Sequence, residues 1–445
     1  MQTLTDSAPL SAAVPARSPA DALNQDCYCR TLDAERLRLE VDKAASSQGL
    51  MQRITQTRPH LFSSTAVFLT AAMAQQLTDA VQAIERVVAL PAYGEQALAR
   101  APAIAAQQAG PRGVCMGYDF HLTAQGPRLI EINTNAGGLL LNAALLRAQV
   151  SCCEAMERVM PPQVSSTALE QAVLDMFVAE WQLQRGSGRP GLLVIVDEAP
   201  TEQYLAPEFE LFKHLLLRHG LAALVADPSE LQWRDGKLWL GTQVVGMVYN
   251  RLTDFYLQDE KHQSLRQAYA AGAVVLTPHP RAHAVLADKR NLIALSQNAL
   301  LHTWGASAAD CQLLADRVPT TRLVTHEQAD DLWAQRRQLF FKPVAGFGAK
   351  AAYRGDKLTK RVWGEILAGD FVAQALVPPG ERLIEVDGVL SELKFDIRAY
   401  SYAGQVQLLA ARMYSGQTTN FRTEGGGFAP VIVMPDSRNN REQIQ

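Results

Sequence analysis

No apolar run in this 445-residue sequence approaches the roughly 18 residues that a bilayer-spanning helix needs, and Met1 to Asn24 lacks the basic start and apolar middle of a signal peptide. The expectation is a cytoplasmic protein with no membrane partner. Cysteine is scarce. The six residues Cys27, Cys29, Cys115, Cys152, Cys153 and Cys311 form no CxxC pair and no Cys/His ladder at zinc spacing, which argues for free thiols rather than a disulfide frame or a thiolate metal site. An excess of either charge is also missing: the formal net charge is -3 and the pI about 6.3. A protein built to grip nucleic acid needs a pronounced basic surface, so that class is excluded, although a local basic pocket stays open. Internal repeats are absent too.

Hydrophobic residues make up 48% and charged residues 20%, the balance of a globular chain with a large core. At this length two or three lobes are expected. Residues 1–24, rich in Ala, Ser, Pro and Thr without periodicity, read as a flexible leader, and residues 437–445 as a polar tail. Residues 25–185 begin with helical spacing and then give two short strands, Gly113 to Phe120 and Gly126 to Asn133, around a Gly-Pro turn. Residues 186–285 open on the continuous apolar run Leu192 to Val196 and alternate strand and helix, the pattern of a small open α/β lobe whose ligands collect beyond the strand ends. Residues 286–436 have an α+β texture, with strands at Leu339 to Pro343, Phe371 to Leu376, Phe395 to Tyr402 and Gln405 to Tyr414.

The most informative stretch runs from Gly117 to Gly138. Asp119 precedes Glu131 across a hairpin long enough to set the two side by side, and Glu131 and Asn133, two apart on a strand, leave the same face. Two carboxylates and an amide oxygen make an all-oxygen site for a hard cation such as Mg²⁺. The bland alternative is a hairpin with solvated acids, but the apolar setting of Leu129, Ile130 and Ile132 makes an unpaired Glu131 costly there. A second stretch puts Lys342 at the end of an apolar strand, followed by Gly346, Gly348 and Lys350. Such a loop lets backbone N–H groups approach phosphate while the lysine supplies a point charge. Arg398 and Arg412 sit in alternating strand patterns. Singly each reads as a surface residue; facing a cleft, each needs an anion. Arg251 follows a strand end in the α/β lobe, where a substrate carboxylate and plain solvent are equally open readings. His279 and His283 read as ordinary loop and helix-start histidines.

Together these segments resemble the ATP-grasp superfamily over Gly117 to Gly138 and Asp288 to Pro430. The resemblance implies an α/β (α+β) ATP-grasp fold that closes two lobes on ATP. It makes Lys289 and Lys342 phosphate-contacting, Gly346 to Lys350 a loop over the phosphates, and Gln374, Ala375, Leu376 and Val377 an adenine-facing segment. Arg398, Arg412 and Asn420 would face the transferring phosphate, and Gly425 and Gly426 would lie in a substrate loop. Asp119, Glu131 and Asn133 match the family's magnesium triad in type and closely in spacing. The triad precedes the lysine and arginine segments, a permuted order similar to eukaryotic-type glutathione synthetase, with the α/β lobe inserted to bind substrate. The glycine loop departs from that enzyme: it lacks the glutamate and the Gly-Gly-Gly run, and Asp119 is the acid left to replace the missing ligand.

The implied activity is ATP- and Mg²⁺-dependent joining of a small-molecule carboxylate to an amine through an acyl phosphate, with ADP released. Homodimerisation is an expectation carried by the resemblance alone. Rival readings are an ATP-binding module without turnover and a small-molecule kinase; a requirement for an amine separates ligase from kinase.

Overall fold

The computed structural model describes residues 18–108, 110–151, 157, 166–346, 351–386 and 388–434. In chain order the strands are β1 (Val67–Thr70), β2 (Met116–Thr123), β3 (Gly126–Asn133), β4 (Leu192–Val196), β5 (Ala222–Ala226), β6 (Leu231–Arg234), β7 (Lys237–Leu240), β8 (Gln243–Val244), β9 (Met247–Asn250), β10 (Val275–Thr277), β11 (Thr321–Leu323), β12 (Leu339–Pro343), β13 (Tyr353–Arg354), β14 (Phe371–Ala375), β15 (Gly380–Val386), β16 (Val389–Tyr402), β17 (Gln405–Tyr414) and β18 (Gly427–Met434). A seven-stranded sheet runs β1-β18-β17-β16-β2-β3, with β15 also on β16. A four-stranded sheet runs β11-β14-β12-β13, a second β10-β9-β4-β5, and β6 to β8 form a small meander.

The parallel sheet follows from its sequence. All five side chains of β4 are buried, and β4 pairs in parallel with β5 and β9, so an unbroken apolar run fits where an alternating one would not. Helices such as Ala206–Arg218 cover it, burying Phe209, Phe212, Leu215 and Leu216. The seven-stranded sheet is mostly antiparallel and separates two cores. Tyr400, Leu408, Ala410 and Phe428 face the helix Leu139–Arg147, while Tyr118, Ile132, Ala399 and Ala411 face the helix Ala71–Val88. That second helix is capped by the Thr70 hydroxyl, which accepts from Met73 N, and it buries Leu77, Ala80, Val81, Ile84 and Val87, a stripe at helical spacing. Each such large apolar side chain contributes about 1.5–3 kcal/mol on burial.

Several elements differ from the sequence-based expectation. The helix Pro19–Asp26 starts within the stretch read as leader, because Ser18 and Asp21 form a capping box and Ala20 and Leu23 pack on Phe68 and Ile432. Strand β1 interrupts the expected helical run and pairs in parallel with β18, two strands not foreseen, as β15 was not. Strand β2 continues to Thr123, leaving only Ala124 and Gln125 as the turn. Residues 437–445 lie outside the described residues. Among the described residues no helix is long and apolar enough to cross a membrane.

Candidate active site

The site is assembled where the β2–β3 hairpin joins β16. Asp119 stands opposite Glu131 on β3 and opposite Arg398 on β16, and Gly117 stands opposite Asn133, so four of the expected residues meet by strand register alone. A bulge at Ile130, between the Phe120–Leu129 and Asp119–Glu131 pairs, turns the Ile130 carbonyl out of the ladder. Lys342 Nζ from β12 of the other antiparallel sheet donates to it at 2.7 Å and to Gln374 Oε1 at 2.8 Å. The lysine is thus fixed between the two sheets. Burial pulls its pKa down to about 8, with Glu131 acting in the opposite direction.

Asp119 is 1% exposed and fully engaged. Its Oδ1 accepts from Arg398 Nε at 2.6 Å, and its Oδ2 from Arg398 Nη2 at 2.7 Å, Arg412 Nη2 at 2.8 Å and Asn133 Nδ2 at 3.0 Å. Burial opposes its charge, yet the two guanidiniums outweigh burial and hold the carboxyl well below the usual carboxylate range. Arg412 also donates to Asp396 Oδ1 at 2.7 Å, and the Thr419 hydroxyl donates to Asp396 Oδ2 at 2.5 Å. Asp396 was missed in the sequence although it lies two residues from Arg398 on the same face, a spacing that could have revealed it.

Glu131 is the accessible acid, with 29% of its side chain exposed. Lys289 Nζ lies 3.9 Å from its Oε2 and donates to Gly346 O at 2.6 Å. A hard cation fits Glu131 together with the amide oxygen of Asn133, provided that the amide turns from its present donation to Asp119 and Glu131. Asp119 offers such an ion no oxygen while both are held by guanidinium. Among the described residues no group of three His, Cys, Asp or Glu is placed to hold a metal, so the amide is essential to this donor set.

A glutathione synthetase-like effector from Globodera pallida in its apo form is similar with a TM-score of 0.50 at 10% identity, over 90% of this chain and 98% of that one. The fold is of the ATP-grasp type. A protein assigned as a gamma-glutamylcysteine synthetase from Methylobacillus flagellatus gives a TM-score of 0.46 at 10% identity over 80% of this chain and 86% of its own. The ATP-grasp ligase PsnB, complexed with minimal precursor, Mg and ADP, gives 0.28 at 15% identity over 54% and 88%. No protein-family model and no curated protein matches the sequence.

Within this ATP-grasp-type fold the other expected residues take varied places. Gln374 is 2% exposed, and its Nε2 is buried with no hydrogen-bond partner, a donor left over beside Lys342. The N–H groups of Ala375 and Leu376 donate to Thr320 O and Gln338 O, both at 2.8 Å, and the Val377 carbonyl meets His121 Nδ1 at 2.8 Å. Asn420 is not in the Asp119 cluster: it braces its own loop, donating to Ser415 O and Thr418 O and accepting from Arg422 N and the Thr423 hydroxyl. Gly425 adopts a φ of +71, and its missing Cβ leaves room for Val386 and Ile384; Gly426 lies against Met413 O. Gly348 and Lys350 lie outside the described residues.

Arg251 is 7% exposed, which removes the reading of a surface arginine after a strand. Its Nη1 donates to Asn135 O at 2.6 Å and to the Tyr249 hydroxyl at 3.2 Å, while Asn135 Nδ2 donates back to Arg251 O and Leu252 O. Its Nε is buried without a partner. Glu208, which sequence reasoning did not single out, accepts from Gly138 N at 2.7 Å and Leu140 N at 3.1 Å and completes this clamp on the turn after Asn133. Nearby Asp197 is pushed up to about 6 by burial, against the lowering effect of Arg251. His279 and His283 are buried, which pushes them down to about 4 and about 3, so both are neutral at pH 7.

Proposed function

We propose that the protein is an ATP-dependent, ADP-forming ligase that joins a small carboxylate to an amine through an acyl phosphate. The observation carrying this reading is the gathering of four cations at the junction of two antiparallel sheets: Arg398 and Arg412 on Asp119, Lys289 3.9 Å from Glu131, and Lys342 on the carbonyl of Ile130 beside it. Phosphoryl transfer asks mainly for positioning and fixed positive charge, and four cations held by carboxylate and carbonyl partners would supply both without a covalent nucleophile. In this reading Lys342 and Lys289 take phosphate oxygens in exchange for the neutral carbonyl and amide oxygens they now hold. Arg412 shares the transferring phosphate while Asp396 keeps its guanidinium in plane. Glu131 and Asn133 are the residues to hold Mg²⁺, which when bound neutralises charge between phosphate oxygens. The likeness to a glutathione synthetase-like protein favours an amino acid or short γ-glutamyl peptide as the acid, with a small amine such as glycine as acceptor.

The test is Mg²⁺-dependent release of ADP and phosphate, screened against pooled amino acids, dipeptides and polyamines, with Glu131→Gln alongside. Turnover that needs both an acid and an amine and disappears in the variant supports a ligase. Release with the acid alone makes it a kinase, and tight ATP binding without any release makes it a binding module.

A further inference from the structure

The helix side of the seven-stranded sheet, away from the Asp119 cluster, carries a groove of about 650 Å³ between the helix Ala71–Val88, Pro111 and Arg112, the segment around Arg281, and the turn at Ala403 to Gln405. That volume is in the range of small-molecule sites. Three arginines line it. Arg86 is already spent, with Nη2 2.5 Å from Asp310 Oδ1 and Nε 3.2 Å from both oxygens. Arg112 and Arg281 have no carboxylate within ion-pair distance among the described residues. Glu85 is the acid in the lining; its Oε1 accepts from the Tyr118 hydroxyl at 2.5 Å, and burial raises its pKa while Tyr118 and the charge of Arg112 act in the opposite direction. His279 adds no charge: its Nε2 is 2.8 Å from Pro111 O and its Nδ1 accepts from Ala282 N.

Two arginines on an open surface are ordinary. These two line a concavity in which the other cation is paired with Asp310, Glu85 has one oxygen held by Tyr118, and Gln82 and Gln405 add hydrogen-bonding capacity. A guanidinium fork suits planar or tetrahedral oxyanions. We propose that this groove binds a small anion with several carboxylate or phosphate groups, held by Arg112 and Arg281. The site is separate from the Asp119 cluster, because Tyr118 faces the groove side of β2 whereas Asp119 faces the other.

The experiment is calorimetric titration of the full chain at low ionic strength with citrate and, separately, inorganic phosphate. It is repeated on Arg112→Ala/Arg281→Ala, on each single Arg→Gln variant, and on Lys289→Met. One anion is expected to bind with single-site stoichiometry, at least tenfold more weakly in the double variant, measurably more weakly in each single variant, and unchanged in Lys289→Met. Preference for citrate assigns a carboxylate ligand, and preference for phosphate a phosphorylated one. The proposal is overturned if neither anion binds the unmodified chain, if the arginine variants bind as tightly as it does, or if Lys289→Met abolishes binding.

Discussion

On one face of β2, Asp119 is gripped by Arg398 and Arg412, and Arg412 in turn by Asp396; on the other face, one residue away, Tyr118 gives a single hydrogen bond to Glu85, and Arg112 and Arg281 make no ion pair among the described residues. The buried face cannot leave a guanidinium uncompensated, since desolvation would cost several kcal/mol, whereas water at the groove makes the same omission cheap. Charge on the buried face is therefore locked by its partners. At the groove it is available to whatever arrives.

Four measurements sharpen or break that contrast. Asp119→Asn keeps the shape but removes the charge that two buried arginines share, and should cost about 3–5 kcal/mol in chemical denaturation; a cost near zero would mean that the cluster is already solvated. Under the proposed function, Lys342→Met should lower ADP release on the order of 10²–10³-fold with the fold retained by circular dichroism. Asp197, the acid beside Arg251, tests the pH side. Its folded pKa of about 6 lies above its unfolded value, so its neutral form favours the native state at low pH, and that contribution declines as pH rises from about 4 through about 6. Asp197→Asn should flatten the decline in a stability profile across that window. Asp119 runs the other way: its lowered pKa gives stability that is present above the ordinary carboxylate range and lost as pH falls. The smallest effect is expected at the groove, where Arg112→Ala should change stability by no more than about 0.5 kcal/mol.

Much of the site's geometry was legible because strand register is a local rule. Asp119, Glu131 and Asn133 come together through a short hairpin whose turn and period-2 pattern are visible in the sequence, and Lys342 follows from an apolar strand ending in Lys-Pro. The pairing of β2 with β16 was not legible, since nothing in either segment names its neighbour across some 280 residues, and with it went the grip of Arg398 on Asp119. Arg382 shows the limit most clearly. It is wholly buried, yet its Nε and Nη1 donate to the carbonyls of Ala66, Asn24 and Leu383, and a carbonyl partner leaves no trace in residue type. Strand β1 was hidden by its brevity and by Thr70, which ends the strand and caps the next helix.

The bulge at Ile130 has a mechanical meaning as well as a geometric one. By turning a single carbonyl toward Lys342, it lets a lysine of one sheet rest on the backbone of another, so the jaws of the cleft are tied by a stitch made of one cation and one dipole. A ligand that draws Lys342 onto an anion undoes the stitch as it is bound. Occupancy and the freedom of the two sheets to shift against each other would then be set by the same bond.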